Sequence, residues 1–158
     1  DNYSARRPNS ASIGTRAYQM AQFVVFESGL QMLADNPTLY YNNEDCIKFI
    51  SSVPVLWDET KVLDAKLGEH LVLAKRNADK WYLGGMTAER KEPLEMDVVL
   101  DFLPEGKTYK LTSFEDGSNA DRQAMHYTKN VREVRKGDTV KIRMVRNGGY
   151  AASLEASL

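Results

Sequence analysis

The chain has 158 residues, and its 21 lysine and arginine residues against 22 aspartate and glutamate residues give a formal net charge of −1. This length allows one domain, or a small domain with an attached segment. Nucleic-acid binding normally needs a basic stripe, and the balanced charge gives no indication of one. The sequence contains no run of 18 apolar residues, so a membrane-spanning helix is not predicted. We therefore expect neither a nucleic-acid nor a membrane partner. Cys46 is the single cysteine, so no disulfide can form within the chain.

The residues before Pro54 first follow a helical pattern. Between Thr15 and Ser28, apolar residues recur at i, i+3, i+4, i+7 and i+8, which predicts a helix with one buried face. Leu30–Ala34 is a short apolar run closed by the turn signal Asp35-Asn36-Pro37. Such a run predicts a buried strand, although its spacing also permits more helix.

A second helix is predicted between Asn43, or its neighbour Asn42, and Pro54. Its apolar face comprises Cys46, Ile47, Ile50 and Val53. One buried strand between two helices has no neighbour for its backbone groups, and each unpaired buried group costs about 1–3 kcal/mol. Residues 1–54 are therefore predicted to be an incomplete α/β layer whose missing strands belong to other polypeptide. The polar stretch Asp1–Arg16, without an initiator methionine, agrees with a chain that begins in mid-protein.

From Val55 onward, short alternating segments are separated by turns. The predicted strands are His70–Arg76, Lys80–Thr87, Leu94–Phe102, Thr108–Glu115, two strands within Val131–Val145 joined by the turn Lys136-Gly137-Asp138, and Tyr150–Leu154. Seven or eight strands spaced about ten residues apart, with turn residues between them, predict an antiparallel β-sandwich.

Six strings of residues, spread over nearly the whole chain, carry a family resemblance. They are Gly14-Thr15-Arg16, Val24-Val25-Phe26-Glu27-Ser28, Leu30 to Pro37, Val53 to Thr60, Trp81 to Thr87, and Asp116 to Arg122. In this order they resemble glycoside hydrolase family 97, bacterial α-glycosidases that act on α-glucosides or α-galactosides.

The resemblance implies an α+β fragment. Residues 1–54 would be the last strand and flanking helices of a catalytic (β/α)8 barrel, and residues 55–158 an antiparallel C-terminal β-sandwich with an oligomerisation role. Its partners would be the upstream catalytic portion, α-linked oligosaccharides through the parent enzyme, and further copies of itself. The family's catalytic carboxylates and calcium-binding glutamates would lie upstream of Asp1, which leaves this chain without catalytic residues or a cofactor. The parent would be periplasmic or extracellular.

Asp35 and Asn36 are the candidate substrate-binding residues. Both follow the predicted last barrel strand, and active sites of such barrels lie at the C-terminal ends of the strands. The alternative, which we favour, is a turn in which both side chains satisfy nearby backbone donors. Trp57, beside Pro54, is interpreted as a wedge between domains rather than as a platform for sugar stacking.

Two functions other than support of a parent glycosidase remain open. A carbohydrate-binding sandwich would present exposed aromatic rings on one face, and a purely structural domain would self-associate without a ligand. The aromatic candidates are Trp57, Trp81, Tyr82, Tyr109, Tyr127 and Tyr150. In either case we expect the isolated chain to expose apolar surface over Ala17–Val25 and Leu30–Ala34.

Overall fold

The computed structural model describes residues 13–33 and 36–157, which form three helices and eight strands. The helices are α1 (Arg16–Val25), α2 (Pro37–Tyr41) and α3 (Glu44–Ser52). The strands are β1 (Glu59–Lys66), β2 (His70–Asn77), β3 (Lys80–Thr87), β4 (Leu94–Val99), β5 (Thr108–Asp116), β6 (Tyr127–Arg135), β7 (Thr139–Met144) and β8 (Gly149–Ala156). None of the helices in these two ranges is long and apolar enough to cross a membrane.

The strands form two antiparallel sheets. One sheet has six strands in the order β1-β2-β3-β8-β5-β6, and β4 pairs with β7 in the other. The alternation of side chains in β2 explains how the large sheet is buried on both faces. Val72 and Ala74 belong to the core shared with β4 and β7, whereas Leu73 joins a second core beneath the helices. The predicted antiparallel β-domain is confirmed, and β1 is a strand that the sequence pattern did not separate.

Helix α1 covers the face of the large sheet opposite β4 and β7. Its stripe of Ala17, Met20, Ala21 and Val24 is at most 1% exposed. The stripe packs in one cluster with Leu73, Tyr82, Phe114 and Ala151 from the sheet. The buried face predicted for this helix is therefore confirmed. The expectation that Ala17–Val25 would expose apolar surface is wrong, because the sheet of the same chain covers it.

Two glycines allow α1 to lie unusually close to the sheet. A Cβ atom at Gly149 would stand 2.3 Å from the Cα atom of Tyr18, and one at Gly84 would stand 2.8 Å from Cγ2 of Val25. Neither distance is possible for real atoms in contact, so only glycine fits at these crossings without movement of the helix.

The predicted barrel strand is not formed. Leu30–Leu33 has no strand pairing, and Leu30 and Met32 are 73% and 76% exposed. A strand is stable when neighbours pair its backbone groups, and none of the eight described strands pairs with this segment. The structure therefore does not confirm the predicted buried strand, and the barrel fragment is not confirmed either. Ala34 lies outside the described residues.

Helix α3 begins and ends close to its predicted limits, with differences in detail. Asn43 is its N-cap residue but makes no side-chain capping bond, and instead accepts a hydrogen bond from the Arg16 guanidinium. Phe49 is buried on its inner face together with Cys46, whereas Ile47 and Ile50 are only partly buried.

We predict that Gly149→Ala lowers the free energy of unfolding by about 1–3 kcal/mol, because the added methyl group forces α1 away from the sheet. Urea denaturation monitored by tryptophan fluorescence measures this change. Gly29→Ala is the matched control, since a Cβ atom there meets nothing within 4 Å. Equal urea midpoints for Gly149→Ala and the unsubstituted chain would contradict the close approach of α1.

Candidate functional site

Six exposed apolar residues lie in two short segments, one after α1 and one after α3. They are Phe26, Leu30, Met32, Leu33, Val55 and Leu56, which we call the junction surface. The first segment folds back on α1, where Gln31 Nε2 donates to the carbonyl oxygen of Phe23 at 3.0 Å. Exposed apolar residues concentrated in this way mark a surface for association.

A cleft of about 340 Å³ borders the junction surface. It is lined by Glu27, Val55, Leu56, Trp57, Asp58, Glu59 and Thr60. Asp58 and Glu59 both face Arg76, at 3.5 Å and 3.3 Å. Hydrogen bonds from Lys61 and Arg76 lower the pKa of Glu59. A glycosidase acid needs the opposite shift so that it holds its proton until it is used, so these two carboxylates are arranged as ion pairs rather than as an acid and base pair.

Lys75 fixes the place where α1 ends. Its side chain is only 1% exposed, and its Nζ donates to the carbonyl oxygen of Val25 at 3.2 Å and to Glu27 Oε1 at 3.4 Å. Its ammonium also lies 5.3 Å from the centre of the Trp57 ring. The last carbonyls of a helix lack partners within the helix and carry partial negative charge, which a buried cation neutralises. The chain therefore leaves the sheet directly after Val25 and enters the junction surface.

Trp57 and Tyr82 join the end of α3 to the large sheet. Their ring centroids are 5.5 Å apart in an edge-to-face arrangement, and Tyr82 Oη donates to the carbonyl oxygen of Ser52 at 2.7 Å. Trp57 thus packs the segment after α3 against the sheet. This position agrees with a wedge at a junction better than with an open sugar platform.

Asp116 holds the other end of α1. Its Oδ1 accepts a hydrogen bond from Thr15 Oγ1 at 2.5 Å, and its Oδ2 accepts from the backbone N–H groups of Val145 and Gly149 at 2.9 Å and 3.1 Å. The Thr15 hydroxyl in turn accepts from the N–H of Tyr18 as the helix N-cap. Burial raises the pKa of Asp116 above its usual value, although these hydrogen bonds oppose the rise. The carboxylate joins α1, β5 and the turn between β7 and β8.

The structure does not bring the predicted substrate-binding residues into a pocket. Asp35 lies outside the described residues. Asn36 is the N-cap of α2, where its Oδ1 accepts from the N–H of Leu39 at 3.1 Å, and Pro37 occupies the first helical turn. Asparagine followed by proline is a typical start of a helix, which was the missed signal for α2. A substrate-binding role for either residue stays a prediction.

Most aromatic candidates for sugar binding are buried in the two cores. Trp81, Tyr82, Tyr109 and Tyr150 are at most 3% exposed. Trp57 and Tyr127 are partly exposed, and each packs against a different ring of the core beneath the helices, Tyr82 for Trp57 and Phe114 for Tyr127. Within residues 13–33 and 36–157, no three histidine, cysteine, aspartate or glutamate residues are placed to hold a metal ion.

These features define an antiparallel β-sandwich domain whose helix α1 is bound tightly to the sheet and whose junction surface is exposed. A family model described as "Glycosyl-hydrolase 97 C-terminal, oligomerisation" matches residues 56–155, which is more than half of the chain. The chain belongs to this family.

Known relatives agree with the assignment. The chain is 38% identical over 154 residues to a retaining alpha-galactosidase of Bacteroides thetaiotaomicron, and this match covers 98% of the chain but 23% of that enzyme. A probable retaining alpha-galactosidase of Streptomyces bingchenggensis is 31% identical over 93% of the chain and 21% of its own length. A solved glycoside hydrolase family 97 enzyme from Pseudoalteromonas sp. strain K8, in complex with panose, superposes with a TM-score of 0.85 at 32% identity, over 92% of this chain and 23% of its own. The chain thus spans less than a quarter of these proteins.

We predict that Asp116 makes the stability of the chain depend on pH. Because its pKa is raised in the folded state, the native protein binds this proton more tightly than the unfolded chain does. Its contribution to stability is therefore largest below the ordinary pKa of 3.8 and declines as pH rises through the raised value. The measurement is the difference in the free energy of unfolding between the unsubstituted chain and Asp116→Asn, followed from acid to neutral pH.

The amide oxygen that Asp116→Asn introduces can still accept from the backbone N–H groups, and the amide cannot titrate, so other carboxyl groups cancel in the comparison. The difference must fall as pH rises. A difference that is constant, or that grows with pH, would show that burial does not raise this pKa.

Proposed function

We propose that this chain is the C-terminal, non-catalytic part of an α-glycoside hydrolase and that the junction surface docks on the upstream catalytic portion of the same polypeptide. The observation that carries the proposal is the junction surface itself. Helix α1 is covered by the sheet of its own domain, yet the residues that follow it, with Leu30 and Met32 at 73% and 76% exposure, are covered by nothing in the described structure. The chain spans 23% of the α-galactosidase that it matches, so most of such an enzyme lies outside it.

Docking has a clear driving force. Removing a leucine or methionine side chain from water contributes about 1.5–3 kcal/mol, and the junction surface offers six apolar side chains. Leu30–Leu33 would become a strand when an upstream strand supplies partners for its backbone, which restores the barrel strand expected from the sequence. The exposed apolar side chains and the unpaired backbone groups would therefore both be satisfied by docking of the upstream catalytic portion.

The parent enzyme is proposed to hydrolyse α-galactosides. The support is that two relatives matched over more than 90% of this chain are named as a retaining and a probable retaining alpha-galactosidase. The carboxylates of the cleft beside Trp57 are engaged by Lys75 and Arg76, so the acid and the nucleophile would come from the upstream portion. Calcium and the periplasmic or extracellular location implied by the family resemblance belong to that parent in the same proposal.

We further propose that the domain holds copies of the parent together. The support is that the description of its family includes the word oligomerisation. Carbohydrate binding is not favoured by a specific observation, because the candidate rings are mostly buried.

We predict that Leu30→Asp combined with Met32→Asp affects the parent enzyme and not this chain. In the isolated chain both side chains are exposed, so its thermal midpoint should change by less than about 2 °C. In the parent both would be buried at the junction. There the double substitution should lower the thermal midpoint by about 5 °C or more and reduce α-galactosidase activity severalfold, measured with 4-nitrophenyl α-galactoside.

Leu67→Asp is the matched control, because Leu67 is fully exposed in the turn between β1 and β2. This substitution should leave the thermal midpoint of both proteins and the α-galactosidase activity of the parent unchanged. If the junction double substitution is also neutral in the parent, the docking surface is wrong. Turnover of the α-galactoside by the isolated chain would contradict the proposed absence of catalysis.

A further inference from the structure

The six-stranded sheet ends in two very different edges. The edge strand β1 is irregular, since its register with β2 shifts between Val62 and Asp64. The other edge strand, β6, pairs with β5 through nine consecutive residue pairs, from Thr108 with Arg135 to Asp116 with Tyr127. Irregular edges discourage pairing with another chain, whereas a long regular edge presents a row of free backbone donors and acceptors. Of the two edges, β6 is the one suited to accept another strand.

The side chains of β6 are open to solvent along most of its length. All six residues from Thr128 to Glu133 are exposed, and Val131 at the centre of the strand is 53% exposed. Lysine and arginine on an edge strand usually prevent pairing. Here, however, Glu133 lies four residues beyond Lys129 on the same face of the strand, so the charge pattern is not repulsive in every register.

The sequence of β6 is complementary to itself when it is reversed about Val131. An antiparallel pairing centred on Val131 sets Lys129 opposite Glu133 twice, by symmetry, and sets Asn130 opposite Arg132. Opposite charges placed directly across two strands stabilise them, while like charges there destabilise them. The two copies of Val131 would meet at the axis and remove their exposed apolar surface from water.

Neighbouring registers lose this complementarity. Centring the axis on Arg132 sets two arginines against each other and places Lys129 opposite Arg135. Centring it on Asn130 leaves Lys129 opposite Val131 and Glu133 opposite Tyr127. A shift by one residue, with the axis between Asn130 and Val131, puts Lys129 opposite Arg132. The pattern therefore selects the register centred on Val131.

The existing contact of Lys129 is compatible with such pairing. Its Nζ donates to Asp45 Oδ1 of α3 at 2.6 Å. An ammonium group has three N–H donors, so Lys129 can bind Asp45 and a second carboxylate together. Glu133 adds the negative charge from the other copy.

We infer that two copies of this chain associate through β6, whose strands pair antiparallel about a two-fold axis at Val131 and join the two large sheets into one. The inference rests on the self-association proposed above and names the surface that produces it. Such an interface is isologous, with the same strand contributed by each copy.

Disulfide trapping of Val131→Cys tests the axis directly. Directly opposed residues in an antiparallel pair have Cα atoms about 4.5–5.5 Å apart, which lies within the range for a disulfide. Under mild oxidation, Val131→Cys should form a covalent dimer on a non-reducing gel. Val62→Cys on β1 is the matched control, because Val62 is also exposed but lies on the irregular edge. Cys46 is buried and should not react in either variant.

A charge exchange tests the register. Glu133→Lys and Lys129→Glu should each weaken the homodimer at least tenfold in sedimentation equilibrium, since each creates like charges across the axis. An equimolar mixture of the two variants should form a heterodimer, because every lysine then faces a glutamate. Glu92→Lys, an exposed change of equal charge between β3 and β4, should leave association unchanged. All variants carry Leu30→Asp and Met32→Asp, so that the junction surface does not contribute.

The possible outcomes distinguish an error in the assignment to β6 from an error in the proposed self-association. A chain that associates, but neither forms the Val131→Cys dimer nor responds to Glu133→Lys, overturns the assignment to β6 and leaves self-association standing. A chain that stays monomeric at the highest soluble concentration, with no trapped dimer, overturns both.

Discussion

The close contact between α1 and the six-stranded sheet is the constraint on which the rest of the structure depends. Gly84 and Gly149 remove the side chains that would hold the helix away, and the small and apolar stripe of α1 then fills the space. Each end of the helix is tied to the sheet by a charged group that is itself buried or nearly so. Asp116 binds the hydroxyl of the N-cap Thr15, and Lys75 binds the last carbonyl at Val25. A buried charged group is stable only when its partners are present. These two contacts therefore determine both the position and the orientation of the helix on the sheet.

This locked helix determines where the chain becomes available to another structure. Because Lys75 ends α1 at Val25, the next residues must leave the sheet, and the apolar side chains of Phe26 and Leu30 have no cover from their own domain. A less tightly attached helix could have shifted to cover the side chains of Phe26 and Leu30. The attachment of α1 to the sheet thus fixes the point at which the chain enters the junction surface.

Local patterns in the sequence were sufficient for most of the sandwich, because alternation and turn residues act over a few neighbours. The limits of β3 agree with the pattern, and the Lys136-Gly137-Asp138 turn separates β6 from β7 as predicted. The partner of each element was harder to predict. The stripe of α1 showed that one face is buried but not what buries it. The composition of Leu30–Ala34 predicted a strand, whereas Leu30–Leu33 pairs with no strand of the described residues. No local pattern predicts the role of Asp116, since that role comes from Thr15, which is distant in sequence and close only in the fold.

The two proposed surfaces lie at opposite sides of the large sheet, and so they can act together. The cleft beside the junction surface includes Glu59 and Thr60 of β1, at one edge of the sheet, whereas β6 forms the other edge. Five strand spacings separate the two edges, about 24 Å at the usual distance between neighbouring strands. Pairing through β6 would therefore leave both copies of the junction surface free at the outer ends of a joined twelve-stranded sheet. In that arrangement the upstream portions of two parent chains are held far apart by the same domain that links them, and neither contact competes with the other.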